Sequence, residues 1–296
     1  MRFLSPLRYP GGKGKLAPFF HELIQTNKLH DYEYAEVYAG GAGIALDLLT
    51  NKFVSAIHLN DLSYPIFSFW YSILNHTDGF CNRIENIPLT VEEWFNQKNI
   101  LHNTESNEIF DVGFAAFYLN RTNRSGILNG GLIGGKSQSG KWKMDARFNR
   151  ENLVKRIKLI QLFKSRINLY NLDAKQFLSE SINELSDEML IYLDPPYYEK
   201  GNELYENHYH HDDHNDIANI IGTIDNKNWI VSYDNTKPIR KIYQNYDRLM
   251  YNLNYSAQKK YLGSEIIILD PDLEYPSVGE IDIIKNPQVV NAKLIF

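Results

Sequence analysis

The sequence holds a single cysteine, Cys81, so no intramolecular disulfide can form and a reducing compartment is expected. It holds no apolar run near the roughly 20 residues that a membrane span needs. Its first residues, Met1-Arg2-Phe3-Leu4-Ser5-Pro6, lack the apolar stretch of a secretory signal. No membrane partner is expected, and the expected location is the cytoplasm. Nor is there a global excess of positive charge. The net charge is −5 at pH 7, so the chain as a whole does not announce nucleic acid. Repeats and low-complexity tracts are missing as well. What is present is a hydrophobic fraction of 43% over 296 residues, enough for one large packed domain or two smaller ones.

The most informative stretch is Met189-Leu190-Ile191-Tyr192-Leu193 running into Asp194-Pro195-Pro196-Tyr197. Five mostly apolar residues read as a buried strand. Two prolines then end it, since they can neither continue a ladder nor enter a helix interior. A carboxylate, a rigid turn and an aromatic ring are thus left at the carboxyl edge of a sheet, where open α/β folds bind ligands. Asp194 and the Pro195 carbonyl would accept hydrogen bonds from an amino group, and Tyr197 would offer a flat face to a ring. The bland alternative is a turn with a capping aspartate.

A second site follows an earlier strand. Residues 34–38 read as a strand ending in Ala39-Gly40-Gly41-Ala42-Gly43, with a helix over 44–50 and a further strand over 53–59. Gly40, Gly41 and Gly43 permit close approach of backbone to a ligand, and the helix behind them offers its N-terminus. Asp61 stands 21 positions beyond Gly40, where nucleotide-binding βαβ units place an acid on ribose hydroxyls. Strands at 167–170 and 228–233, and an antiparallel pair over 248–253 and 265–269, complete an α/β sheet. Helical patterns dominate from 79 to 120. The simplest architecture is a discontinuous α/β domain, 1–75 and 161–296, interrupted by a mostly helical insert over 76–160.

Three features have to be weighed against bland readings. Gly130-Gly131-Leu132-Ile133-Gly134-Gly135-Lys136-Ser137 fits the phosphate-loop expression, but neither a strand before it nor a helix after it is expected. His208, His210, His211 and His214 are dense enough for zinc, yet neighbours on one loop rarely converge on an ion, and a mobile polar loop is the simpler reading. Residues 121–158 carry ten Lys and Arg against Asp145 and Glu151, a local +8 that leaves −13 elsewhere. A solvated basic face is the usual explanation for such a run, whereas the glycine-rich context favours a surface that tracks phosphates. There Lys141 and Lys143 are candidate phosphate contacts. Arg124 and Asn123 carry side chains that commonly read guanine and adenine edges.

Taken in order, these pieces resemble the Dam-like DNA adenine-N6 methyltransferases: Arg8 to Lys13, Glu36 to Gly43, Asn60-Asp61, an insert, Asp194 to Tyr197, Ser232-Tyr233 and Gly263-Ser264-Glu265. The resemblance implies a seven-stranded Rossmann-like methyltransferase sheet whose insert is the target-recognition domain, with Arg121 among its DNA contacts. It implies S-adenosylmethionine as methyl donor, with Tyr9, Lys13, Asp61 and Asp194 at cofactor-contacting positions. It also implies double-stranded DNA as substrate, with the target adenine flipped out of the helix and stacked on Tyr197. Position 9 is Tyr where the family often has Trp, which keeps a stacking ring. No metal is called for. A cognate restriction endonuclease is the partner expected of a restriction-modification enzyme. Cytosine-N4 transfer and a catalytically inactive DNA-binding relative are the alternatives.

Overall fold

Strands β1 (Glu33–Glu36), β2 (Ile57–Asn60), β3 (Ile167–Tyr170), β4 (Met189–Leu193) and β5 (Asn228–Asp234) run parallel in a computed structural model that describes residues 4–9, 12–199, 209–255, 261–276 and 283–285. Strands β6 (Arg248–Tyr255), β7 (Tyr261–Leu269) and β8 (Ile283–Lys285) extend the sheet antiparallel, in the order β3-β2-β1-β4-β5-β7-β6-β8. The seven expected strands are therefore present, and the three-residue β8 adds an eighth at the edge. Strand order reverses between β1 and β4, and a crevice opens there at the carboxyl ends of the strands.

All five residues of β4 are buried, as a central strand covered on both faces requires. The pleat divides them: Leu190 and Tyr192 join one apolar cluster, while Met189, Ile191 and Leu193 join the other. On the first face lie α1 (Ala17–Thr26), α2 (Gly43–Thr50) and α3 (Tyr64–Asn75), with Pro18 and Pro65 in the opening turns of α1 and α3. The helix over His211–Ile221 packs on the second face.

Between β2 and β3 the insert forms α4 (Thr77–Asn86), α5 (Val91–His102), α6 (Ile109–Thr122) and α7 (Arg150–Gln161). Thr90 caps α5 by accepting from the Glu93 N–H, and Asn149 caps α7 from the Asn152 N–H. The apolar cluster of the first face continues into these helices without a break. At the crossing of α3 and α6, Gly113 lies so close that a Cβ there would collide with the Ser68 carbonyl. Residues 123–149 are largely irregular, as the lack of periodicity predicts. The phosphate-loop look-alike is a run of turns with no strand before it and no helix after it, so it builds no phosphate loop.

Candidate active site

The turn after β1 depends on backbone that ordinary side chains resist. Gly40 has φ +46°, and a Cβ there would lie 2.8 Å from the Tyr9 ring. Tyr9 thus covers Gly40, while Gly41 and Gly43 line the crevice. The Gly40 carbonyl accepts from the Trp70 indole at 3.0 Å, and its N–H donates to Asp61 Oδ2 at 2.7 Å. Asp61 Oδ1 accepts from the Ser63 N–H at 2.9 Å. The sequence spacing of Gly40 and Asp61 is therefore a direct contact. Burial pushes the Asp61 carboxyl up to about 6 against those two hydrogen bonds.

Asp194 follows β4, as expected. Its Oδ1 accepts from Lys13 Nζ at 2.7 Å and from Ser232 Oγ at 2.8 Å. The Tyr192 hydroxyl lies 2.8 Å from that serine oxygen. Oδ2 has no hydrogen-bond partner among the described residues, and Asp194 lies on the cavity wall. Lys13 is 5% exposed and also lies 3.0 Å from the Tyr197 hydroxyl and 3.6 Å from Glu265 Oε2. The residue expected to contact the cofactor is thus seated on the carboxylate expected to accept from the amino group. Glu265 on β7, which also accepts from the Tyr197 hydroxyl, completes the group. Its place at the end of the motif series was visible in the sequence, but its task was not.

Tyr197 and Pro195 are buried behind the wall, which Asp194 and Pro196 form. The Tyr197 ring is 4% exposed and carries Lys13 Nζ 5.0 Å from its centroid. A further acid, Glu36, is 5% exposed, accepts from the Ala45 N–H at 2.8 Å and the Tyr34 hydroxyl at 3.3 Å, and is pushed up to about 8 by burial.

The crevice encloses about 810 Å³. Its walls join the turn after β1, Asp61 after β2 and Asp194 after β4 to the N-terminal loop and the insert. Asn120 fixes that junction. Its amide accepts from the Arg8 N–H at 2.7 Å and donates to the Arg8 carbonyl at 2.8 Å, which holds the loop carrying Tyr9 and Lys13 against α6.

The predicted DNA contacts separate. Arg124, Lys141 and Lys143 are exposed, and Trp142 between the two lysines is 67% exposed. Arg121 is 9% exposed and lines the crevice. Asn123 is the correction: it is fully buried, accepts from the Trp94 indole at 2.7 Å and donates to the carbonyls of Ile127 and Leu128. An amide committed in that way organises the loop and cannot reach a base edge. The histidines also diverge. His210 caps its helix, His211 Nδ1 lies 3.1 Å from the Tyr198 hydroxyl and His214 Nδ1 lies 2.9 Å from the Tyr233 hydroxyl, while His208 is outside the described residues.

An α/β sheet of Rossmann-like order, with a cavity at its switch point and a carboxylate after β4, defines the class. Residues 9–257 match the family described as D12 class N6 adenine-specific DNA methyltransferase, and the chain belongs to that family. It is an enzyme that methylates adenine N6 in DNA, which decides against the cytosine-N4 alternative. No curated protein matches it. Among solved structures, a putative methyltransferase, yhhF, from Escherichia coli is 8% identical, with a TM-score of 0.33 and 86% of each chain covered. The rRNA methyltransferase aviRa from Streptomyces viridochromogenes is 10% identical, with a TM-score of 0.40, covering 89% of this chain and 87% of that one. No helix among the described residues is long and apolar enough to cross a membrane.

Proposed function

We propose that this chain takes its methyl group from S-adenosylmethionine and delivers it to an adenine flipped from double-stranded DNA into the crevice. The carrying observation is Asp194. One of its oxygens is fixed by Lys13 and Ser232, and the other has no partner among the described residues, at a wall shared with the glycine turn and Asp61.

The crevice suits both molecules. Its volume of about 810 Å³ lies within the usual range for ligand sites, roughly 300–1,000 Å³. Ile44, Ile66 and Leu172 give apolar walls for a purine, and the carboxyls of Asp61 and Asp194 suit a cationic ligand. Tyr9, Gly43 and Asp61 are the residues that would hold the cofactor, which when bound supplies a methyl group made electrophilic by a sulfonium sulfur.

The remaining chemistry belongs to the chain. The N6 lone pair of adenine is delocalised into the ring, so the amino group is a weak nucleophile. Asp194, accepting one amino hydrogen, builds charge on that nitrogen and aims it. Lys13 and Ser232 hold the carboxylate so that no reorganisation is needed during transfer. The Pro195 carbonyl is the second acceptor in this reading. The exposed Lys141, Lys143 and Arg124 carry the duplex outside.

Replacing Asp194 by Ala should abolish transfer while leaving the fold and the affinity for S-adenosylhomocysteine intact. A rate within about tenfold of wild type, a barrier change of only about 1.4 kcal/mol, would sink the proposal.

A further inference from the structure

One end of the crevice carries four arginines: Arg8 from the N-terminal loop, Arg121 from the last turn of α6, Arg147 from the turn before α7, and Arg156 from α7 itself. None of them takes part in any ion pair of the described residues. Among the described residues their guanidinium hydrogen bonds go to backbone carbonyls: Arg8 to Asn123 at 3.1 Å and Arg156 to Ser5 at 2.8 Å. The Nε atoms of Arg121 and Arg156 are buried with no hydrogen-bond partner among the described residues. Arg121, at 9% exposure, is the deepest of the four. Burial first, then the charges of Arg8, Arg156 and Arg147, push its guanidinium down to about 9.

A buried guanidinium set among like charges, as Arg121 is, destabilises the free protein unless an opposite charge arrives. The carboxyls of the crevice do not answer this need: Asp194 is paired with Lys13, Asp61 with two backbone N–H groups, and Glu36 with the Ala45 N–H and the Tyr34 hydroxyl. The cluster therefore fits an oxyanion brought by a ligand, and guanidinium groups match oxyanion geometry well.

We infer that the four arginines form an oxyanion site inside the crevice, which takes the phosphodiester attached to the target adenosine. This deepens the function proposed above and rests on it. A base drawn into the crevice brings its own sugar and phosphate, and three of the four arginines belong to the insert that faces the duplex in that reading. The site is distinct from the outer lysines. It meets a phosphate only when a nucleotide has entered, so it favours the extruded state.

The test uses Arg121→Gln and the exposed Arg147→Gln, the second guarding against a folding defect in the first. Affinity for S-adenosylhomocysteine without DNA should stay within about twofold of wild type. Duplex affinity should fall about ten- to hundredfold for Arg121→Gln, as for a lost charge-assisted bond. The log–log salt slope should flatten by about 0.9 for each variant. Free Arg121→Gln should melt higher than wild type, because a buried like charge is gone. A lower melting temperature with unchanged DNA binding would make the arginine structural and overturn the site. Loss of cofactor affinity with DNA binding kept would give the oxyanion to the cofactor's carboxylate and overturn the phosphodiester. Inorganic pyrophosphate should raise the melting temperature of wild type more than that of Arg147→Gln, and equal shifts would count against any anion site. That last measurement needs no methyl transfer, so it separates failure of the site from failure of the proposed activity.

Discussion

Asp194 and Tyr197 stand three residues apart, yet the fold gives them different surroundings. The carboxylate is on the cavity wall, whereas the tyrosine hydroxyl is inside the protein with Lys13 and Glu265. If the ring of Tyr197 did the stacking, Phe would serve as well. If its hydroxyl keeps Lys13 on Asp194, Tyr197→Phe should lower kcat about tenfold or more, with cofactor affinity near wild type. An unchanged kcat would return the residue to stacking. Asp194 and the Gly40–Asp61 contact were legible in the sequence because each is a short motif at the end of a strand. The Lys13–Asp194 pair was not, since 181 positions separate its members and no local pattern links them. Asn123 was misread for another reason: an amide side chain in an irregular basic stretch looks the same whether it faces DNA or a buried indole. Glu36 gives a second prediction at this scale. Burial raises its folded-state pKa from 4.5 to about 8, so the folded chain holds that proton more tightly than the unfolded one. Its stabilising contribution is full below about 4.5 and is lost as pH rises towards about 8, at about 1.4 kcal/mol per pKa unit of difference. Gln copies the protonated form, so Glu36→Gln should flatten the fall in melting temperature between pH 5 and 8, as about bracketed by those two values. Parallel melting curves for the two proteins across that range would remove Glu36 as the cause.

Elements were more legible than contacts, because hydrophobic period and turn residues act locally. The antiparallel pairing of β6 with β7 and the burial of β4 follow the sequence reading closely. The second strand of the βαβ unit is shorter than expected, beginning at Ile57. The carbonyls of Val54 and Ser55 accept from the Arg166 guanidinium, and Phe53 stacks on His21 with ring centroids 4.1 Å apart. The stretch packs as a loop whose carbonyls are taken by a side chain 111 and 112 positions away. The insert was legible as helices, but not how it is joined. Gly113 lets the backbones of α3 and α6 touch, and Phe69 stacks on Phe117 with ring centroids 5.9 Å apart beside that crossing. Gly113→Ala should therefore destabilise the protein by about 1–3 kcal/mol through overpacking, although alanine favours a helix intrinsically. Chemical denaturation checks the sign: a variant as stable as wild type would mean that the crossing yields easily.

At the scale of the whole molecule, charge and shape divide the work. The chain is acidic overall at −5, while residues 121–158 hold +8, so DNA should meet an attractive face set on a repelling body. That asymmetry was legible in the sequence, whereas its division into two layers was not, because composition does not show depth. Arg121 lies within the crevice, and Lys141 and Lys143 lie in solvent. The outer layer should act on encounter and retention alone. Each exposed lysine lost from a phosphate contact should flatten the log–log salt dependence of binding by about 0.9, equally for every duplex sequence. The double variant Lys141→Ala/Lys143→Ala should thus weaken all duplexes alike and lose about twice that slope, yet keep wild-type kcat once DNA is saturating. A salt series with two unrelated duplexes, followed by single-turnover methylation at saturating DNA, measures both parts. If binding and slope match wild type, the exposed lysines are a solvated face and the duplex lies elsewhere. If kcat falls while binding holds, they act on the geometry of transfer, and the division between an outer tracking layer and an inner reacting one is wrong.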